Sequence, residues 1–276
     1  MELLVRVISA LVFAPAMLAI VWYADEAQYA FFVAALGAVG GWEWGRLAGS
    51  ENPATRALLG ALVAGAVLAL VLLADHAWTP IIITLGVLVW LLNLCWLAQT
   101  QFLSAPDGPA RLIKLALGFV VLVAAATSLS RIHQFAYGVG LTIVFLLIIW
   151  AADVGAYAAG RLFGRHKLAP TISPGKTWEG VLGGQLLVAA ACAALLRYLP
   201  EAMIDEVQLG AWLFALAAVT AAISVVGDLF ISVLKRQRQL KDTGRVIPGH
   251  GGILDRFDSA FAAAPFFLCG LLLTRW

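Results

Sequence analysis

Charged residues are scarce in this 276-residue sequence: they make up 12% of it, whereas hydrophobic residues make up 62%. A soluble domain carries about a quarter charged residues, so this composition excludes an ordinary water-soluble fold. The apolar runs are about 18–25 residues long, whereas the strands of a membrane barrel are about ten residues long and alternate in polarity. We therefore predict an all-α, polytopic integral membrane protein.

Cysteine is also scarce, and its placement excludes two further classes. Each of the three cysteines lies inside an apolar run, and the sequence contains no CxxC pair. A disulfide framework or a cysteine-based zinc site is therefore not expected, and we interpret these residues as small buried side chains. The formal net charge is only +2, and we expect no nucleic-acid partner.

Hydropathy predicts nine transmembrane helices. A signal peptide is the alternative for the first run, but that run is long and a second one follows almost at once, so we interpret it as a membrane span. The predicted spans cover residues 7–23, 27–47, 57–74, 77–98, 112–129, 136–159, 179–199, 207–234 and 259–274.

The distribution of Lys and Arg predicts the orientation. With the N-terminus in the cytoplasm, fifteen of the eighteen basic residues fall on the cytoplasmic side, as the positive-inside rule requires. The polar loops 160–178 and 235–257 then face the cytoplasm, and the chemistry is expected there, on the cytoplasmic side of the cell (inner) membrane. We assign residues 1–130 to a scaffold of helices and residues 131–276 to the catalytic region.

Four aspartates are predicted to lie at one depth, just inside the cytoplasmic face. Asp153 and Asp228 each precede the cytoplasmic end of a predicted helix by about 10 Å of helical rise, and Asp255 and Asp258 lie where the last helix begins. A carboxylate facing lipid costs about 2.5–3.5 kcal/mol, so these acids should face protein, water, a cation or a basic partner. Asp255 and Asp258 could instead be a helix cap or ion-pair partners. Glu43 is interpreted as an anchor at the membrane interface.

Helical spacing groups several polar residues around Asp228. Ser224, Asp228 and Ser232 recur at intervals of four and share one helix face, and Lys235 falls close to that face one turn later. A cluster of acids and bases at this depth suits a phosphate-rich ligand, because the bases meet the phosphate charge and the acids hold the accompanying metal.

The first cytoplasmic loop contains SPGKT, which superficially resembles a phosphate-binding P-loop. The P-loop pattern requires a glycine where Pro170 stands, and we reject it. The hydroxyls of Ser173 and Thr177 and the ammonium of Lys176 still suit a phosphate. The alternative is a solvated, positively charged loop held by proline turns.

The second loop contains PGHGG immediately before the last helix. Glycines such as Gly249, Gly251 and Gly252 allow positive φ and leave amides open, so we predict an anion-binding nest at a helix N-terminus. His250, between glycines, is interpreted as a ligand contact.

The polar segments together resemble a known family. The run 232–258, SVLKRQRQLKDTGRVIPGHGGILDRFD, is similar to the signature of the phosphatidate cytidylyltransferases, also called CDP-diacylglycerol synthases. The run 153–180, DVGAYAAGRLFGRHKLAPTISPGKTWEG, resembles the same family, with two departures: Gly175 stands where relatives usually carry Lys, and Val154 where a small polar residue is common. The likeness spans about the last half of the chain.

The resemblance implies a reaction: CTP and phosphatidic acid give CDP-diacylglycerol and pyrophosphate, with Mg²⁺ and with a second cation such as K⁺ as a further candidate. It also implies a homodimer in the lipid bilayer. We expect Asp228 and Asp255 to hold the metal, with Asp258 supporting them. Catalytic contacts to phosphate are expected from Lys235, Arg236 and Lys241. The expected substrate-binding residues are Asp153, Ser173, Lys176, Thr177, Ser232, Gly249, His250, Gly251, Gly252 and Arg256.

Two alternatives are open at this point. Buried acids are typical of a secondary transporter, but the charged residues here cluster at one face and leave no polar trail across the membrane. Another lipid-phosphate transferase is the second alternative, although the compact aspartate motif of the CDP-alcohol phosphotransferases is absent from the sequence.

Overall fold

A computed structural model describes residues 2–74, 76–105, 108–199, 201, 210–247, 249 and 251–273. Within these residues the chain forms nine α-helices and one short β-hairpin. The helices are α1 (Glu2–Tyr23), α2 (Glu26–Leu47), α3 (Pro53–Leu68), α4 (Thr79–Leu97), α5 (Gly108–His133), α6 (Gly138–Phe163), α7 (Trp178–Tyr198), α8 (Trp212–Gln237) and α9 (Leu254–Leu273). The antiparallel strands are β1 (Lys167–Ala169) and β2 (Ser173–Thr177).

Seven of the described helices are long and apolar enough to cross a membrane. These are α4 to α9 and α3, which continues as a π-helical turn to Leu73. The prediction of an all-α protein with several membrane helices is therefore confirmed. Membrane crossing by α1 and α2, and with it the count of nine spans and the cytoplasmic N-terminus, stays a prediction.

Local sequence signals set several helix starts. The side chain of Asp25 accepts a hydrogen bond from the Gln28 amide at 2.8 Å, and the Gln28 side chain accepts one from the Asp25 amide at 3.1 Å, which forms a capping box at the start of α2. Asn52 caps α3 in a similar way, and Pro53 occupies its first turn, where the missing N–H costs nothing.

Three local features differ from the sequence-based expectations. Helix α6 continues past Gly160 to Phe163, and a Cβ at Gly160 would lie 3.2 Å from Thr177 Oγ1, so the glycine serves close packing instead of ending the helix. The loop 160–178 folds into the β1–β2 hairpin instead of remaining irregular. Helix α9 begins at Leu254, five residues before the predicted apolar span 259–274 but with Asp255 in its first turn as expected, because a buried carboxylate caps its first amides.

Small residues let the helices approach closely. A Cβ at Gly41 in α2 would lie 2.8 Å from the Cα of Gly60 in α3, and one at Gly184 in α7 would lie 2.8 Å from the Ala152 carbonyl of α6. These positions bring backbones into contact, which is a common way for membrane helices to associate.

Helix α9 lies at the centre of the fold, and α8 packs against it. Of the candidate spans α9 is the most buried, with 72% of its apolar window inside the protein. Phe230 of α8 packs among the rings of Trp44, Trp90 and Trp96, which come from α2 and α4. These contacts fix one face of α8 and leave its polar face directed towards α6, α9 and the hairpin.

Candidate active site

The site begins where α8 and α9 cross. A Cβ at Gly227 would lie 2.5 Å from the Asp258 carbonyl and 2.6 Å from the Cβ of Ala262, so only glycine permits this approach. The Ser259 hydroxyl donates to the Ser224 carbonyl at 3.2 Å across the same crossing. Because Asp228 follows Gly227 directly, the contact brings Asp228 and Asp258 to the same place.

All four predicted aspartates line one cavity. The cavity has a volume of about 350 Å³, and its lining is mainly polar. It is lined by Asp153, Asp228, Lys235, Asp242, Asp255, Arg256, Asp258 and Ser259. The expected convergence of acids from α6, α8 and α9 is therefore present in the structure.

Asp255 is held by several donors at once. Its Oδ1 lies 2.7 Å from Lys235 Nζ, and both side chains are largely buried. Its Oδ2 accepts hydrogen bonds from the amide of Thr243 at 2.7 Å and from the amide of Gly252 at 3.0 Å, and the Thr243 hydroxyl oxygen lies 3.0 Å from the same atom. The carboxylate thus ties α8, α9 and the loop between them together.

Asp228 is paired with a lysine of the β1–β2 hairpin. Lys176 Nζ of β2 lies 2.7 Å from Asp228 Oδ2, and the aspartate side chain keeps 37% of its surface exposed. The Ser232 hydroxyl donates to Asp228 Oδ1 at 3.4 Å, which confirms that the two residues share a helix face. Asp228 is therefore the more accessible of the two paired acids.

Apolar contacts hold the hairpin against α8. Ile172, at the hairpin turn, packs with Leu229 and Val233 of α8, and all three are buried. The Arg236 guanidinium donates to the Ile172 carbonyl at 3.3 Å. This docking is what places Lys176 over the cavity.

The loop before α9 has the backbone that its glycines predict. Gly249 and Gly251 have φ values of 75° and 86°, and the Ile247 amide donates to the Gly251 carbonyl at 2.9 Å. The amide of Gly252 donates to Asp255 and not outward. Pro248 and His250 lie outside the described residues, so the expected ligand contact of His250 stays a prediction.

Several predicted substrate contacts have other partners in the structure. Thr177 is 4% exposed, and its hydroxyl accepts the Gly180 amide at 3.1 Å, which caps α7; the substrate contact expected of Thr177 stays a prediction. Arg236 binds the hairpin, and Lys241 is exposed outside the residues that line the cavity. Ser173 pairs with Ala169 in the hairpin, and its side chain does not line the cavity either.

Sequence reasoning missed three residues. Asp242 lines the cavity, Thr243 is fully buried beside Asp255, and Glu43 is 1% exposed with its carboxylate at the start of α9. The interpretation of Glu43 as an interfacial anchor is therefore wrong. The available signal was an acid inside an otherwise apolar helix, which needs a buried partner.

The donor set suits a hard divalent cation. Within the part of the chain that the structure describes, no group of three or more His, Cys, Asp and Glu side chains is arranged to hold a metal by itself. Mg²⁺ needs only one or two carboxylates when substrate phosphates supply the remaining oxygens. Asp228 and Asp255, which come from α8 and α9 and line the same cavity, meet that requirement.

Comparison with known proteins identifies the family. The cytidylyltransferase family profile matches residues 4–273. The chain belongs to the cytidylyltransferase family. Membership covers the N-terminal helices as well as the motif-bearing half, so the likeness extends beyond the segments that carry the polar motifs. The chain is accordingly a nucleotidyltransferase of the membrane.

Individual members of the cytidylyltransferase family match along almost their whole length. The phosphatidate cytidylyltransferase of Pseudomonas aeruginosa is 38% identical over 98% of this chain and 97% of its own. The phosphatidate cytidylyltransferase of Haemophilus influenzae is 32% identical over 95% of this chain and 96% of its own. That of Brucella suis is 35% identical over 94% of this chain and 89% of its own. A transporter and a CDP-alcohol phosphotransferase therefore find no support.

Proposed function

We propose that this chain is a phosphatidate cytidylyltransferase, which transfers CMP from CTP to phosphatidic acid. The proposal rests on two ion pairs beside one acid-lined cavity at the end of the membrane helices. Lys176 pairs with Asp228, and Lys235 pairs with Asp255. Acids for a cation and ammonium groups for phosphates are the two requirements of phosphoryl-group chemistry.

The reaction requires little covalent work from the protein. A phosphate oxygen of phosphatidic acid attacks the α-phosphorus of CTP, a new P–O bond forms, the bond to the bridging oxygen of the leaving group breaks, and pyrophosphate departs. The attacking phosphate is ionised at neutral pH, so no general base is needed. Positioning and neutralisation of charge are what remain for the enzyme to supply.

Lys176 and Lys235 are the main candidates for that neutralisation. Each ammonium rests on a carboxylate within 2.7 Å. When triphosphate and lipid phosphate enter, each lysine exchanges its carboxylate for a phosphate oxygen, since charge-assisted hydrogen bonds to phosphate are strong. Arg256 lines the same cavity and is a further phosphate contact.

Asp228 and Asp255 are the proposed Mg²⁺ ligands, with Asp258 supporting them. Asp255 offers only Oδ1, because the amides of Thr243 and Gly252 occupy Oδ2. When bound, the cation lowers the charge on the phosphate oxygens and so stabilises the transition state. A second cation such as K⁺ stays a prediction.

The membrane arrangement follows from the charge distribution. We place the protein in the inner membrane with nine spans, the N-terminus in the cytoplasm and the cavity on the cytoplasmic side, where CTP is available. The N-terminal helices act as scaffold and as the contact surface of a homodimer.

Purified protein in mixed micelles tests this function. We expect CDP-diacylglycerol and pyrophosphate to form in equal amounts from CTP and phosphatidic acid, and neither to form when either substrate is left out. Substitution of diacylglycerol for phosphatidic acid should stop the reaction, because the attacking phosphate is then missing. CTP hydrolysis without any lipid product would refute the proposal.

A further inference from the structure

Glu43 is a buried acid that the proposed chemistry does not use. It lies in α2, about two hundred residues before the loop that it contacts, and is 1% exposed. Its Oε1 accepts the Ile253 amide at 3.0 Å, and its Oε2 accepts the Leu254 amide at 2.9 Å. These are the first amides of α9, where a negative charge is stabilised by unpaired N–H groups and the helix dipole. The anion site that the glycine-rich loop predicts is thus filled from within the protein.

The same carboxylate reaches the catalytic acid through one hydroxyl. Thr243 is fully buried, and its Oγ1 lies 2.7 Å from Glu43 Oε2 and 3.0 Å from Asp255 Oδ2. The Thr243 amide donates to the same Asp255 oxygen at 2.7 Å. Asp255 in turn holds Lys235 at 2.7 Å. A continuous path of polar contacts therefore runs from α2 to the phosphate-binding lysine of α8.

The loop before α9 is shaped around this carboxylate. A Cβ at Gly244 or at Gly252 would overlap with the oxygens of Glu43, and one at Gly252 would also overlap with the Thr243 hydroxyl. Two of the glycines in the loop therefore make room for an acid from another helix. Glu43 itself is not among the residues that line the cavity, so it acts on substrates only through its neighbours.

We propose that Glu43 is a positioning residue for cytidylyl transfer, which fixes Asp255 and Lys235 through Thr243 and through the start of α9. This inference rests on the proposed function. It makes the catalytic geometry depend on a helix of the N-terminal half, whose role was otherwise that of a scaffold. Residues that orient a catalytic ligand typically contribute about 10- to 100-fold to activity.

The first test is Glu43→Gln, which keeps the size of the side chain. One carboxylate oxygen becomes an NH₂ group, so a hydrogen-bond donor then faces another donor, either a backbone N–H or the Thr243 hydroxyl. We expect kcat for CDP-diacylglycerol formation to fall about 10- to 100-fold, with a change in KM for phosphatidic acid below about threefold, since loss of positioning acts on the transition state. The Mg²⁺ concentration for half-maximal activity should rise, because Asp255 is the affected ligand.

Thr243 supplies a second test that does not depend on a change at Glu43. Thr243→Val removes the hydroxyl and should lower kcat, whereas Thr243→Ser retains it and should keep kcat close to the wild-type value. In the double variant Glu43→Gln/Thr243→Val the effects should fall short of additivity, because both changes break the same path. Additive losses would show two independent effects and overturn the proposal.

Glu51→Gln is the matched control. Glu51 also lies near the end of α2, but it is 92% exposed and pairs with Arg238 at the surface, away from the residues that line the cavity. This variant should keep the wild-type kcat and KM. Thermal unfolding of each purified variant gives its folded fraction, and kcat is calculated per folded molecule.

Hydrogen exchange separates failure of this inference from failure of the proposed function. In Glu43→Gln the amides of residues 252–254 should lose protection, whether or not the correct substrates have been assigned. If these amides lose protection but kcat keeps its wild-type value, Glu43 is only structural and the proposal is overturned. If the amides keep their protection, the proposal is overturned as well. A wild-type protein that produces no CDP-diacylglycerol refutes the proposed function instead, and the catalytic part of this inference with it.

Discussion

Lys176 Nζ lies 2.7 Å from Asp228 Oδ2, and this contact joins the β1–β2 hairpin to helix α8. The two residues are about fifty positions apart in the sequence, on β2 and α8. The pair brings the proposed phosphate-binding ammonium and the proposed metal-binding carboxylate together.

Removing the ammonium of Lys176 should weaken CTP use. We expect Lys176→Gln to lower kcat/KM for CTP about 10- to 100-fold, because a charge-assisted hydrogen bond is worth about 1.5–3 kcal/mol. Arg238→Gln is the control, since Arg238 pairs with the exposed Glu51. Initial rates with labelled CTP give kcat/KM for each variant. An unchanged kcat/KM would show that Lys176 does not contribute to the use of CTP.

Neutralising Asp228 should nearly abolish turnover. Asp228→Asn keeps the size of the side chain but loses the charge for Mg²⁺, and we expect a loss of about 100-fold or more, equivalent to several kcal/mol of transition-state stabilisation. Asp25→Asn is the control: Asp25 only caps α2, and asparagine is an equally good cap. Wild-type formation of CDP-diacylglycerol at saturating Mg²⁺ would contradict the metal role of Asp228.

The crossing of α8 and α9 should not tolerate a methyl group. Gly227→Ala places a Cβ against the Asp258 carbonyl, and we expect a loss of about 1–3 kcal/mol in the free energy of unfolding together with reduced activity. Gly65→Ala in α3 is the matched control, because a Cβ there meets nothing within 4 Å and alanine favours a helix by about 0.5–1 kcal/mol. Thermal unfolding in detergent compares the two variants, and equal stabilities would refute the close crossing.

Chelation of divalent cations should stop the reaction without unfolding the protein. Two acids of the cavity, Asp228 and Asp255, already have lysine partners, Lys176 and Lys235, so the fold does not depend on a cation to neutralise these two carboxylates. We expect EDTA to eliminate CDP-diacylglycerol formation, added Mg²⁺ to restore it, and the melting temperature to stay nearly constant. Full activity in EDTA would exclude a role for Mg²⁺.

Hydrophobic patterning predicted most of the fold. Long apolar runs can only be helices in a membrane, because every backbone polar group must be satisfied within the segment, and all nine predicted segments overlap with described helices. The spacing of four residues was also sufficient to predict that Asp228 and Ser232 share one helix face. The hairpin was not predicted, because its stability comes from Ile172 docking on Leu229 and Val233, which are distant in the sequence.

The region of the site was predicted better than the contacts of its individual polar residues. Thr177 caps α7 and Arg236 binds the hairpin, and neither contact was predicted from the sequence. Both contacts depend on which partner lies nearest in space, and a loop sequence does not contain that information. Glu43 was misjudged for the same reason, because its partners lie about two hundred residues away.

The sequence alone determined that this chain is a helical membrane protein with acids and bases gathered at one end, because hydropathy and helical spacing are local properties. It also carried the family signature in two polar segments. Only the tertiary structure decided which acid meets which lysine, and that an acid from α2 organises the start of α9. Those relationships arise when the helices pack, since a buried charge takes the partner that the packing places beside it.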